Sequence, residues 1–226
     1  MSQRGVSAYL AQILLFLAVF AACLFAAAGR LDWAAGWILL GMNAAGQILT
    51  ALILAARNPA LMAERASQGK RDLDRRLAGI MALFGPAAIF IVAGFDFRFI
   101  WQPEIPLAPQ IAGIVLAAAG SALTVWAITV NKFFYGVFRI AKDKGHAVCD
   151  AGPYRIVRHP GYLGAILFDL SAPLVLQSAW AFLPAVLTAA VIVIRTARED
   201  LALQAGLEGY REYARRVRWR LFPPVW

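Results

Sequence analysis

His159 is one of two histidines in the chain and sits in the run GPYRIVRHPGYLG, Gly152 to Gly164, between two long apolar segments. Arg155 and Arg158 precede it, Tyr154 and Tyr162 flank it, and Pro160 opens the next apolar run. A proline in the first helical turn gives up an N–H that has no partner there anyway. Arg158 and His159 are therefore expected at a membrane helix N-terminus, among unpaired N–H groups that suit an anionic ligand. The run reads as well as an anchored loop whose arginines snorkel to the headgroups.

Two further polar groups can join it. Asn131 and Lys132 end the preceding apolar run, and Arg195, Arg198, Glu199 and Asp200 end the last one, followed by Tyr210 and Tyr213. Arg195 and Glu199 are four apart, so they share a helix face and can pair. That glutamate can equally take a ligand ammonium while a nearby arginine takes a carboxylate. Tyr210 and Tyr213 share a face and can pack on an aromatic or sulfonium-bearing ligand, or serve as interfacial anchors. Asp169 stands alone in an apolar run, where an acid is expensive and usually has a partner or a function. Structural pairing, a pocket contact below the cytoplasmic surface and an inert interfacial position all stay open for it.

Several chemistries lack their residues. The histidines, 13 apart and without a Cys/Asp/Glu set around them, make a poor metal site. No phosphate loop, dinucleotide fingerprint or nucleophile elbow is present, and the apolar runs lack a pump's ionisable relay. Cys23 lies in an apolar run and Cys149 in a polar loop, which makes a disulfide unexpected.

The elements that must position these residues are membrane helices. The hydrophobic fraction is 61% and the charged fraction 15%, with a mean hydropathy of +0.65, outside the range of soluble domains. Six spans are expected: Tyr9–Ala28, Ala35–Ala56, Leu77–Phe95 with a kink at Pro86, Leu107–Val130, and a tight hairpin of Pro160–Leu176 and Ala181–Ile194, the last slightly short. The first run is too long for a signal-peptide core and lacks a persuasive cleavage site, so it is read as a span. Gly41, Ala45, Gly46, Gly113 and Gly120 offer small surfaces for close packing. Leu61–Arg65 is expected as an interfacial helix within the polar connection Arg57–Arg76, and Asn131–His159 is the longest polar connection. A charged helical tail runs from Arg195 to Arg220, and the prolines of LFPPVW stop it.

With six spans, all 22 Lys and Arg except Arg30 and Arg98 fall on one side. That asymmetry puts both termini and the His159 stretch in the cytoplasm. Five crossings would strand the tail or the central loop, unless the last hairpin is partly re-entrant. The net charge of +9 is thus explained by topology and anionic headgroups rather than nucleic acid. The expected architecture is an all-α integral membrane bundle in one domain, four spans over 1–130 and loop, hairpin and tail over 131–226.

The run from Asn131 to Gly164, NKFFYGVFRIAKDKGHAVCDAGPYRIVRHPGYLG, resembles the cofactor region of the isoprenylcysteine carboxyl methyltransferase family, and its Arg-His-Pro-x-Tyr core is shared by related phospholipid methyltransferases. RTARED and GYREY, from Arg195 and Gly209, resemble that family's C-terminal signature, and NPALMAER, from Asn58, is more weakly similar. The resemblance implies S-adenosylmethionine bound at the cytosolic membrane face outside any Rossmann fold. It carries cofactor binding to His146, to Gly152, Pro153 and Tyr154, to Arg158, His159, Pro160 and Tyr162, and to Glu199. Asp200 stands where the family has a second glutamate, one methylene shorter. Tyr210 and Tyr213 are added as cofactor contacts, and Arg195 and Asn131 as the residues nearest the chemistry.

The implied reaction is direct methyl transfer to a lipophilic or lipidated acceptor entering from the bilayer. A carboxylate acceptor needs no general base, whereas an amine or hydroxyl can use His159 or a carboxylate. Two other classes stay open: a membrane reductase holding nicotinamide phosphates on Lys144, Arg155 and Arg158, and a non-enzymatic lipid-binding protein. A bacterial inner membrane and the endoplasmic reticulum both fit. Acceptor and oligomeric state are not legible.

Overall fold

The computed structural model describes residues 3–66, 73–101 and 105–226. Lys70, Arg71, Asp72 and Glu104, which the sequence reading counted among the loop charges, lie outside them. Within the described residues the chain is helical and no strand forms. The helices are α1 (Gln3–Ala28), α2 (Ala34–Arg57), α3 (Pro59–Ala66), α4 (Leu73–Gly79), α5 (Gly85–Phe99), α6 (Leu107–Val130), α7 (Pro160–Val175), α8 (Phe182–Gly206) and α9 (Tyr210–Arg216).

Four helical stretches are long and apolar enough to cross a membrane: Val6–Ala28, Ala34–Arg57, Leu73–Phe99 and Leu107–Val130. Leu14, Leu52, Val115 and Phe84 are among many large apolar side chains left exposed on them. Such a surface is untenable in water and natural against lipid. The expected bundle of about six segments is thus built as four full-length helices plus the hairpin α7–α8. At 16 residues, α7 is about 24 Å long, short of a hydrocarbon core of about 30 Å. α8 has 25 residues but turns polar at Arg195.

The third span runs through α4 and α5 and widens to π winding over Ile80–Phe84, just before Pro86. Pro86 has no N–H to give, and its ring crowds the carbonyl one turn back, so the hydrogen-bond ladder adjusts at the expected kink position. Leu61–Arg65 is helical as part of α3. Leu61 and Met62 are buried against Tyr9 and Ile13 of α1 and Leu54 of α2.

Glycine sets the closest helix pair. A Cβ at Gly120 on α6 would lie 2.6 Å from the Gly164 carbonyl oxygen on α7, and one at Gly164 2.5 Å from that of Gly120. Gly113 repeats this against Leu174 at 2.7 Å, and Gln110 Nε2 donates to the Val175 carbonyl at 3.1 Å. Without a hydrophobic drive between helices in lipid, such backbone approach is what holds them. Gly41 and Gly46 lack this role: a Cβ at Gly41 meets nothing within 4 Å, and Ser121 comes only to 3.9 Å from one at Gly46. At the end away from His159, Ser178 Oγ donates to buried Asp96 at 2.6 Å and ties α5 to the hairpin turn.

Gly120→Ala should lower the unfolding free energy in detergent by about 1–3 kcal/mol, the cost of overpacking. Gly41→Ala should leave it unchanged or raise it by up to about 1 kcal/mol, because the helix gains a better former with no clash. Equal effects of the two would contradict the α6–α7 contact.

Candidate active site

Four helices each turn a stripe of residues toward one cavity of about 920 Å³. On α7 the stripe is Gly161, Tyr162, Ala165, Phe168 and Asp169. On α2 it is Asn43, Gly46, Gln47 and Thr50, and on α6 Ser121, Thr124, Val125 and Ile128. α1 adds Tyr9, Gln12, Ile13, Phe16 and Phe20. Spacings of three and four put each set on one helical face. The loop Phe133–Arg139, residues His146–Cys149 and the polar end of α8 close the cavity at the His159 end of the bundle.

That end is organised by Asp200, which has no solvent exposure. Its carboxylate accepts from Arg158 Nε at 2.7 Å and Nη2 at 2.9 Å, from Arg220 Nε at 2.9 Å, from Tyr210 Oη at 3.0 Å and from Gln204 at 2.8 Å. His159 Nε2 lies 3.3 Å away. Burial alone would push the Asp200 carboxyl up, but hydrogen bonds from His159, Arg158 and Arg220 outweigh it and hold the group well below the usual carboxylate range. Arg158 also donates Nη1 to the Val217 and Arg218 carbonyls, both at 2.8 Å. The Arg158 and His159 N–H groups donate to the Trp219 and Arg220 carbonyls. The tail beyond α9 is thereby fastened across the start of α7.

The mouth itself is lined by the neighbouring acid. Tyr162 Oη donates to Glu199 Oε2 at 2.5 Å, His159 Nδ1 lies 3.9 Å from Glu199 Oε1, and the His159 and Tyr162 rings stack at 5.8 Å. The ion pair that Arg195 and Glu199 could make at a spacing of four does not form. Arg195 instead grips Asp74 of α4 through Nε at 2.9 Å and Nη2 at 3.1 Å, with Nη1 against the Met81 sulfur at 3.6 Å and its guanidinium 5.4 Å from the Tyr162 ring centre. A fork-to-carboxylate match on another helix beats a same-face pair in which Glu199 already has a phenol donor.

Among the residues singled out from the sequence, Asn131, His146, Tyr154, Arg158, His159, Tyr162, Arg195, Glu199, Tyr210 and Tyr213 line the cavity. Gly152, Pro153, Pro160 and Asp200 stand behind the wall. Asn131 Nδ2 donates to Tyr154 Oη at 3.1 Å, and its Oδ1 accepts from the Phe133 N–H at 2.9 Å. Tyr213 Oη donates to the Tyr154 carbonyl at 2.8 Å. Burial pushes the phenols of Tyr154, Tyr210 and Tyr213 up, so they stay neutral donors. His146 stacks on Phe133 at 4.4 Å and accepts the Ala141 N–H at Nδ1; burial lowers its pKa and favours the neutral ring.

The NPALMAER segment fastens the loop. Asn58 Oδ1 caps α3 at the Leu61 N–H while its Nδ2 reaches the Lys132 carbonyl. Arg65 donates to the Phe134 carbonyl at 2.9 Å, and Glu64 pairs with Arg139 and Lys144. Sequence reasoning missed the lining residues Arg65, Tyr135, Arg139, Asn43, Gln47 and Thr50. For α2 the signal was present: three polar residues at spacings of four and three in an otherwise apolar run. Arg65 Nε and Asn43 Oδ1 are buried without a hydrogen-bond partner. Among the described residues, no group of three or more His, Cys, Asp or Glu gathers for a metal.

Asp200→Asn leaves two arginines facing a neutral amide. It should cost about 3–5 kcal/mol of stability, the scale for breaking a buried ion pair, read as a lowered thermal midpoint in detergent. A midpoint equal to that of the unsubstituted protein would remove Asp200 from the centre of this end.

No curated protein matches the chain. Residues 111–205, which run from α6 through the His159 turn to the far end of α8, match the model of the Isoprenylcysteine carboxyl methyltransferase (ICMT) family.

Proposed function

We propose that the protein methylates the carboxylate of a lipophilic acceptor, using S-adenosylmethionine held at the His159 end of the cavity. The observation that carries this reading is the continuity of one cavity from a charged, aromatic mouth to a depth between α1, α2, α6 and α7 where apolar walls carry a few polar side chains. Its volume of about 920 Å³ lies at the upper end of small-molecule sites, roughly 300–1,000 Å³. A polar cofactor and a lipid tail need such opposite surroundings within reach of each other.

The residues at the mouth fit the cofactor. Glu199 is a carboxylate for an ammonium group, and Arg65, with its unpartnered Nε, is a cation for a carboxylate. Phe133, Tyr135 and His146 present ring faces to an adenine or a sulfonium. When bound, S-adenosylmethionine would supply a methyl group on a sulfonium, to which a carboxylate oxygen could bond as the C–S bond breaks and the neutral thioether leaves, with no proton to remove. Arg195, braced by Asp74, turns an acceptor carboxylate toward that position. His159 and Tyr162 fix Glu199, while Tyr154, Tyr210 and Tyr213 keep water from the reacting oxygen. The Lys/Arg bias supports a cytoplasmic position for this end, with the acceptor entering from the bilayer.

Calorimetry on the full chain in detergent should show binding of S-adenosylmethionine and its demethylated product, and none of NADPH. The opposite pattern would replace methyl transfer by the reductase reading. Glu199→Gln should weaken cofactor binding about tenfold or more, as expected for losing one charge-assisted hydrogen bond. Arg195→Ala should bind cofactor within about twofold, yet lose on the order of a hundredfold in kcat/KM for carboxylate acceptors, the scale for a misplaced reactant. Unchanged turnover in Arg195→Ala would take this residue out of the reaction.

A further inference from the structure

The deep end of the cavity is not the plain hydrocarbon slot that an unsubstituted lipid tail would require. Asp169 projects there from α7, 7% exposed, and has no hydrogen-bond or ion-pair partner among the described residues. α2 adds Asn43, whose Oδ1 is also buried and unpartnered, together with Gln47 and Thr50. α6 adds Ser121, which faces α2 beside Gly46. Three helices thus turn polar side chains into one cavity within the apolar layer, and two of these side chains, those of Asp169 and Asn43, end in acceptor oxygens with nothing to accept.

Tyr162, which holds Glu199 at the mouth, and Asp169 are seven residues apart on α7. They share a face and stand about 10 Å apart along the helix. A tail of pure hydrocarbon reaching that depth would expel water and leave both oxygens unpaired, each at a desolvation cost. A hydroxyl at that depth would instead donate to Asp169 and accept from Gln47 or Ser121.

We propose that Asp169 and Asn43 form a second polar subsite that takes a hydroxyl carried on the acceptor's apolar body, about 10 Å from the carboxylate that is methylated. The acceptor class is then a hydroxylated lipophilic acid rather than a bare prenyl or acyl chain. This rests on the methyl-transfer reading for the position of the carboxylate.

The test is equilibrium binding of radiolabelled octadecanoic acid and its mono-hydroxylated positional isomers to the full chain in nanodiscs. Unsubstituted protein, Asp169→Asn and Asp169→Leu are compared, and methyl transfer to each acid is assayed in parallel. The unsubstituted protein should bind one mid-chain hydroxy isomer about tenfold tighter than octadecanoic acid, the upper end of the worth of one neutral hydrogen bond. Asp169→Asn should keep that preference. Asp169→Leu should lose it and unfold no earlier than the unsubstituted protein, because a buried acid without a partner contributes no stability.

Equal binding of all the acids, no binding of any, an unchanged preference in Asp169→Leu, or marked destabilisation of that variant would each overturn the subsite. Selective binding without methyl transfer to the selected acid would overturn the methyl-transfer reading and leave the subsite standing. Methyl transfer to all the acids with no selectivity would do the reverse.

Discussion

A carboxylate with no solvent exposure, Asp200, accepts hydrogen bonds from two arginines that come from opposite ends of the C-terminal half, Arg158 before α7 and Arg220 in the tail. Removing such an anion from water is costly, and only a nearly complete set of donors offsets it. The set here includes a two-pronged guanidinium, a second arginine, a phenol and an amide. Each donor comes from a different turn of chain, so satisfying the carboxylate fixes where those turns lie. His159 then has little freedom. Its backbone N–H is bonded to the tail, its Nε2 lies beside Asp200, and its other ring nitrogen faces Glu199.

Asp200 and Glu199 are neighbours in sequence with divided tasks. On a helix, adjacent residues point about 100° apart, so one acid turns into the protein and the other toward the cavity. The cavity-facing acid is left to Tyr162 and His159 because the buried one takes up the arginine of the His159 turn. Arg195, one turn earlier, is likewise neutralised from elsewhere, by Asp74 across the bundle. The cavity mouth therefore carries two charges whose directions are set separately, Glu199 by Tyr162 within the lining and Arg195 by Asp74 outside it.

Much of this was legible in the residues. The apolar runs gave the long helices, the charge bias gave one polar end, and Pro160 marked the start of α7. The tight hairpin expected between the His159 run and the Arg195–Asp200 segment put both at the same end of the bundle. Three features were not legible, each for a physical reason. The Arg195–Asp74 pair joins residues 121 apart, and no local periodicity reports a contact across a bundle. The hiding of Asp200 depends on which way α8 is rolled, which is fixed by packing against α9 and the loop. The polar stripe on α2 is written at helical spacing, but Asn, Gln and Thr carry no charge to mark them among glycines and alanines. Gly41 and Gly120 look alike as letters, yet only Gly120 faces another backbone.

The short α7 sits inside the bundle. None of its residues is exposed, so the helix, about 6 Å shorter than the hydrocarbon layer, meets its neighbours rather than bare lipid. A mismatch costs a fraction of a kcal/mol per Å only where lipid has to adapt to it, and here the long helices α1, α2 and α6 carry the exposed apolar side chains instead. A helix spared from matching the membrane is free to keep the length that the polar end of the bundle requires.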